Sequence, residues 1–93
     1  MRDFLTKMKF KHNYPFATPE AAEQKLLELA NAIEAEHAGR VPVGEINTQF
    51  RNAGGTSAEY RAAVAAAIAH GWLTLHPSDG YLSFMPLGAA LFA

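Results

Sequence analysis

An α+β domain, with three main helices followed by a C-terminal β-hairpin and preceded by an extended N-terminal arm, is the fold class that the sequence predicts. Three observations carry it. Between residues 18 and 70, three segments repeat apolar side chains at three- and four-residue spacing and begin or end on capping signals. Residues 71–84, "GWLTLHPSDGYLSF", join two short apolar-aromatic runs through a Pro-Ser-Asp-Gly turn. Residues 4–11, "FLTKMKFK", alternate with a period of two, placing Phe4, Thr6, Met8 and Phe10 on one side and Leu5, Lys7, Lys9 and Lys11 on the other.

Taken in order, residues 4–11 predict a half-buried strand in an N-terminal arm. The first helix starts at Thr18, whose hydroxyl can accept from an orphan amide; Pro19 sits where its missing N–H costs nothing, and Glu20 favours the positive end of the helix dipole. It is expected to run to about His37, with Leu26, Leu29, Ala30 and Ile33 as its buried stripe, glutamates on the opposite face and Gly39 as the left-handed stop. The second helix spans Val43 to Asn52, with Ile46 and Phe50 one turn apart facing the core. Gly54 and Gly55 then break the chain by taking positive φ. Thr56 and Glu59 spell the capping box Thr-x-x-Glu at the start of a third helix, "SAEYRAAVAAAIAH", with Tyr60, Val64, Ala67 and Ile68 turned inward and an outer face of nearly bare alanine. In the hairpin, Pro77 presets φ, Asp79 bonds its own backbone and Gly80 takes the left-handed position. Two strands are marginal alone, so the hairpin must lean on the third helix or find a third strand, which "VPV" at residues 41–43 could supply. "PLGAALFA" can form a last helical turn.

A chain of 93 residues makes one domain with a thin core. Its 49% hydrophobic and 18% charged residues exclude a disordered tail, and no apolar run spans a bilayer. With no cysteine there are no disulfides, thiolate nucleophiles or thiolate zinc sites, which fits a cytoplasmic location. The first residues lack the apolar run of a secretory signal. Net charge is −1 but polarised: Arg2, Lys7, Lys9 and Lys11 against Asp3 make the arm basic, whereas Glu20, Glu23, Glu28, Glu34 and Glu36 against Lys25 make the first helix acidic. His12, His37, His70 and His76 fall in separate elements with no metal-binding spacing, although His70 and His76 bracket one turn and can converge; no metal or cofactor is expected. "NAGGTS" lacks the Lys-Ser/Thr ending of a phosphate-binding loop, and there is no Gly-x-Ser-x-Gly, so no catalytic residues and no enzyme are expected.

Two helices joined by a tight Gly-containing turn, the second running into a hairpin, are the parts of a helix-turn-helix with an added wing. Residues 41–93 resemble the winged helix-turn-helix domains of small bacterial transcriptional regulators. The resemblance lies in "VPVGEINTQF" as positioning helix, in "TSAEYRAAVAAAIAHGWL" as recognition helix with its Gly-aromatic-Leu exit, and in "DGYLSFMPLGAALF" as second wing strand and last helix. Met85 stands where that pattern carries threonine. On this reading residues 1–17 are a basic arm and possible strand, and residues 18–93 are the winged-helix domain.

The resemblance implies double-stranded DNA as partner. The start of helix 57–70 would enter the major groove with Thr56, Ser57, Ala58, Arg61 and Ala62 facing it, and hairpin 72–85 would lie against the backbone or minor groove. Arg61 alone among them can make a bidentate contact to guanine, while Ser57 or Thr56 can bond a phosphate beside the helix-terminal amides. Arg51, Asn52 and the arm lysines Lys7, Lys9 and Lys11 would add backbone contacts. Alanines read little beyond thymine methyls, so a homodimer on a palindrome is expected, with the arm as a pairing strand. The duller reading pairs Arg61 with Glu59 or Ser57, packs Trp72, Tyr81 and Phe84 into the core and uses the alanine face for packing. The alternative function is a winged-helix protein-protein interaction module that binds no DNA.

Overall fold

The chain folds around one apolar centre that three helices and a three-stranded antiparallel sheet share, with a short fourth helix packed outside it. The computed structural model describes Phe16 and residues 18–92, so the expected arm strand and Lys7, Lys9 and Lys11 lie outside the described residues. Helix α1 (Pro19–Glu34) begins as its sequence dictates: the Thr18 hydroxyl accepts from the Ala21 amide at 3.2 Å, and Pro19 occupies the first turn. It stops three residues short of the expected end. Glu36 and His37 donate to the carbonyls of Ile33 and Glu34, tightening the last turn to i−3 bonding, and Ala38 and Gly39 both take positive φ. Leu26, Ala30 and Ile33 are buried and Leu29 packs at the margin; Ala22 and Leu27 widen the stripe. One glutamate breaks the expected division of faces, because Glu23 is buried with them.

Strand β1 (Val41–Pro42) leads directly into helix α2 (Val43–Asn52). Pro42 offers no side-chain cap, and the Val43 amide is instead satisfied by the Gly80 carbonyl of the hairpin at 3.0 Å, which ties α2 to the sheet. Ile46 and Phe50 are completely buried, each contributing roughly 1.5–3 kcal/mol of apolar transfer. At the break, only Gly54 takes the left-handed conformation, with φ +109°. Gly55 is needed for a different reason than expected: a Cβ there would fall inside the Phe50 ring.

Helix α3 (Ser57–Ala69) carries the complete capping box, with Glu59 N donating to Thr56 Oγ1 at 3.1 Å and Thr56 N to Glu59 Oε1 at 2.9 Å. Its inward residues differ from the expected set. Ala63 and Ala67 are buried, Tyr60 and Val64 lie at the core margin, and Ile68 is exposed. Small side chains let α3 approach α1 closely, and this is the most extensive contact in the fold. Gly71, with φ +78°, ends the helix while Trp72 N bonds back to the Ala67 carbonyl.

Strands β2 (Leu73–Leu75) and β3 (Tyr81–Phe84) form the hairpin, and β1 pairs with the other edge of β3, giving the order β1-β3-β2. Leu82 faces Val41 on one side and Leu75 on the other. Val41, Leu73 and Leu82 close the core over Leu26, Ile33, Ile46 and Phe50. Pro42 is tolerated because β1 is an edge. Asp79, not Gly80, takes the left-handed turn position, φ +62°, with its amide on the His76 carbonyl at 2.7 Å. The Ser78 hydroxyl accepts from the Gly80 amide, leaving the glycine no need for positive φ. Helix α4 (Pro86–Ala90) starts at Met85, which supplies no side-chain cap. Gly88 lets α4 lie on the backbone of Trp72, whose carbonyl a Cβ would strike. No described helix is long and apolar enough to cross a membrane.

Candidate nucleic-acid interface

The break at Gly54-Gly55 puts four residues between the end of α2 and the start of α3, and these two helix ends make up the rim of the turn. Arg51 and Asn52 at the end of α2 are exposed, as are Thr56, Ser57, Ala58, Arg61 and Ala62 at the start of α3. All the described residues expected to face a duplex are thus open to solvent. Arg61 has no carboxylate partner among the described residues, so the expected pairing with Glu59 is not made. Glu59 is engaged with the Thr56 backbone instead.

The capping box limits what this rim can offer an anion. The Thr56 hydroxyl already accepts from Glu59, leaving only its proton to donate, and the Glu59 carboxylate sits at the helix end where a phosphate would approach. The first-turn amides of Ser57 and Ala58 have no helical acceptor and remain donors. Alanines 58, 62, 65 and 69 are exposed, so the outer face of α3 admits close approach of a partner but provides few hydrogen bonds.

Two further polar groups gather at the turn end of the hairpin. The Arg40 guanidinium lies 5.0 Å from the Tyr81 ring centroid, and His76 stacks on the same ring at 4.4 Å. His76 Nδ1 also accepts from the Ser78 amide at 3.1 Å, fixing the turn. Sequence reasoning passed over Arg40, because a lone arginine before a two-residue strand carries no local signal. Between α3 and the hairpin runs a groove of about 380 Å³ walled by Val43, Val64, Ile68, Leu75 and Leu82, with Arg61 and Asp79 as its charged members.

The three described histidines stay apart in space, and two of them each meet a glutamate. His70 Nδ1 meets Glu23 Oε2 at 2.7 Å, and His37 Nε2 meets Glu45 Oε1 at 3.1 Å. Glu36 joins the second pair to make an exposed grouping of metal-ligand size, whose His37 and Glu45 already bond each other. His70 and His76 belong to no common cluster among the described residues. Tyr60, packed 5.9 Å from Phe50 at the core margin, has its phenol pKa raised by burial.

The described body is acidic. Lys25, Arg40, Arg51 and Arg61 stand against eight carboxylates, while the arm before it carries Arg2, Lys7, Lys9 and Lys11 against Asp3. Four of the eight carboxylates belong to α1, which packs on the side of α3 holding Ala63 and Ala67. A scan against models of known protein families and searches of curated proteins and of solved structures return no match.

Proposed function

We propose that this chain is a winged helix-turn-helix protein that binds double-stranded DNA, with α3 as recognition helix and the β2–β3 hairpin as wing. The observation that carries the reading is the exposure of Arg51, Asn52, Ser57 and Arg61 on either side of the turn, with neither arginine held by a carboxylate among the described residues. Those donors suit phosphate, and the Arg61 guanidinium is also able to make a bidentate contact to guanine. Arg40 and His76 add cationic and hydrogen-bonding capacity at the wing. Glu59 at the start of α3 and Asp79 across the groove from Arg61 bring negative charge beside the rim, which a duplex would have to tolerate. Specific recognition would need two copies on a two-fold site, because the alanine face reads little. The reading places the chain in the cytoplasm and calls for no catalytic residue and no cofactor.

The test is an electrophoretic shift on random duplex DNA at low and high salt, with the wild-type chain and the Arg51→Ala and Arg61→Ala variants. DNA binding predicts a shift that weakens steeply with salt and weakens further in each variant. No shift at low salt, or one indifferent to both arginines, overturns it.

A second reading, a winged-helix module that binds protein, is favoured by one observation. The groove between α3 and the hairpin is walled by aliphatic side chains with Ile68 and Leu75 partly open, a surface suited to an apolar partner rather than to phosphate. Binding that survives high salt and is lost on Ile68→Asp selects this module.

A further inference from the structure

The geometry points to the groove between α1 and the C-terminal segment as the seat of the chain's own N-terminal arm, residues 2–11. This groove holds about 360 Å³. Its walls are apolar, formed by Leu27, Trp72, Leu91 and Phe92, and Leu91 and Phe92 keep 52% and 39% of their surface in solvent. Its rim is acidic: Glu20, Glu23 and Glu28 all line it. Glu28 also holds Lys25 at 3.8 Å, an exposed pair too weak to neutralise the rim.

An occupant matched to this groove alternates apolar and cationic side chains. Residues 2–11, which lie outside the described residues, have that composition. Phe4, Met8 and Phe10 fall on one side of an extended chain, Lys7, Lys9 and Lys11 on the other, and with Arg2 and Asp3 the segment is net +3. The apolar side would cover the exposed wall, while the lysines face the glutamates. The α3–hairpin groove, of similar size, carries one cation and one anion and offers a basic segment no such preference.

The point of attachment favours the same chain over a second copy. Phe16, where the body begins, shares a hollow with Gln24 and Glu28 of α1, and those two residues also line the groove. Four residues separate Lys11 from Phe16, a reach of up to about 16 Å at extended-chain spacing, so the arm has only to turn back over α1. Docked there, the arm lysines answer the glutamates of α1 rather than phosphate or a second copy's arm. The docking does not rest on DNA binding and can fail or hold independently of it.

Trp72, the only tryptophan, lines the groove and reports its occupancy. Acrylamide quenching of Trp72 is measured on four full-length chains at low and high salt and at two protein concentrations. These are the wild type, the arm reversal (Lys7→Glu, Lys9→Glu, Lys11→Glu), the rim reversal (Glu20→Lys, Glu28→Lys) and their combination; Glu23 is left intact for His70. The expected result is protection of Trp72 in the wild type that is independent of concentration. Either reversal or high salt should raise quenching several-fold, and the combination should restore protection, which a misfolded chain would not do. Carbodiimide coupling of the wild type should give Lys–Glu amides between arm and α1 within one chain. Equal quenching in all four chains, or protection and coupling that grow with concentration, overturns the assignment.

Discussion

Glu23 Oε2 and His70 Nδ1 meet at 2.7 Å across 47 residues of sequence, fastening the C-terminal end of α3 to the face of α1 that is otherwise apolar. A carboxylate only accepts, so the imidazole proton on Nδ1 points to Glu23, while the ring rests against Trp72 at 4.7 Å. Glu23 is 7% exposed. Removing its partner therefore costs more than removing the pair. His70→Ala should lower unfolding stability by about 1–3 kcal/mol by stranding a buried carboxylate, whereas His70→Ala combined with Glu23→Leu should recover most of that loss. Urea midpoints of the two variants decide it; equal losses would show that the contact carries no weight.

Gly55 and Gly88 are close approaches of backbone to packed groups, not conformational necessities. Gly55→Ala drives a methyl into the Phe50 ring and Gly88→Ala drives one into the Trp72 carbonyl, so each should destabilise by about 1–3 kcal/mol. Gly44→Ala, with open space around its position, is the control and should change little. Thermal melts of the three variants check the ranking.

The capping box makes the start of α3 stiff. Thr56→Ala should cost about 1 kcal/mol and Thr56→Ser much less, since serine retains the accepting hydroxyl. Amide exchange at Glu59 should quicken in the alanine variant and stay slow in the serine variant.

Tyr60 sets a high-pH limit. Burial raises its pKa in the folded chain above the ordinary value of 10.0, so the folded state keeps the proton longer than the unfolded state does. The stability from this group is intact below about pH 10 and is lost as pH rises through the folded value. Tyr60→Phe should flatten the fall in urea midpoint between about pH 9 and pH 11; an unchanged slope would assign that fall to other groups.

Much of the architecture was legible because its signals are local. Thr18-Pro19, the Thr56/Glu59 box and the spacing of Ile46 and Phe50 each act within one helical turn, and α2 and the capping box stand where those residues place them. The "VPV" segment supplied a third strand through Val41 and Pro42, with Val43 already helical. What the sequence concealed depends on distant partners. Glu23 reads as a surface glutamate until His70 arrives, and the alanine-rich α3 has no apolar stripe strong enough to choose Ala63 over Ile68 as its inward residue. Asp79 rather than Gly80 takes the left-handed turn position, a choice between two permissive residues that spacing alone does not decide. At the rim, exposure of Arg51, Asn52, Ser57 and Arg61 followed from helix phase, whereas the Arg40–Tyr81 contact required the sheet.

The most direct test of the rim as a DNA surface is the salt dependence of affinity for a random duplex, read by fluorescence anisotropy. Each phosphate contact contributes a slope of about −0.9 in log affinity against log salt. Arg61→Ala should reduce the wild-type slope by about 1 if Arg61 meets phosphate, or leave it intact while weakening binding at guanine-containing sites if it reads a base. Affinity and slope both indifferent to Arg61, or no binding at low salt, would contradict a duplex at this rim.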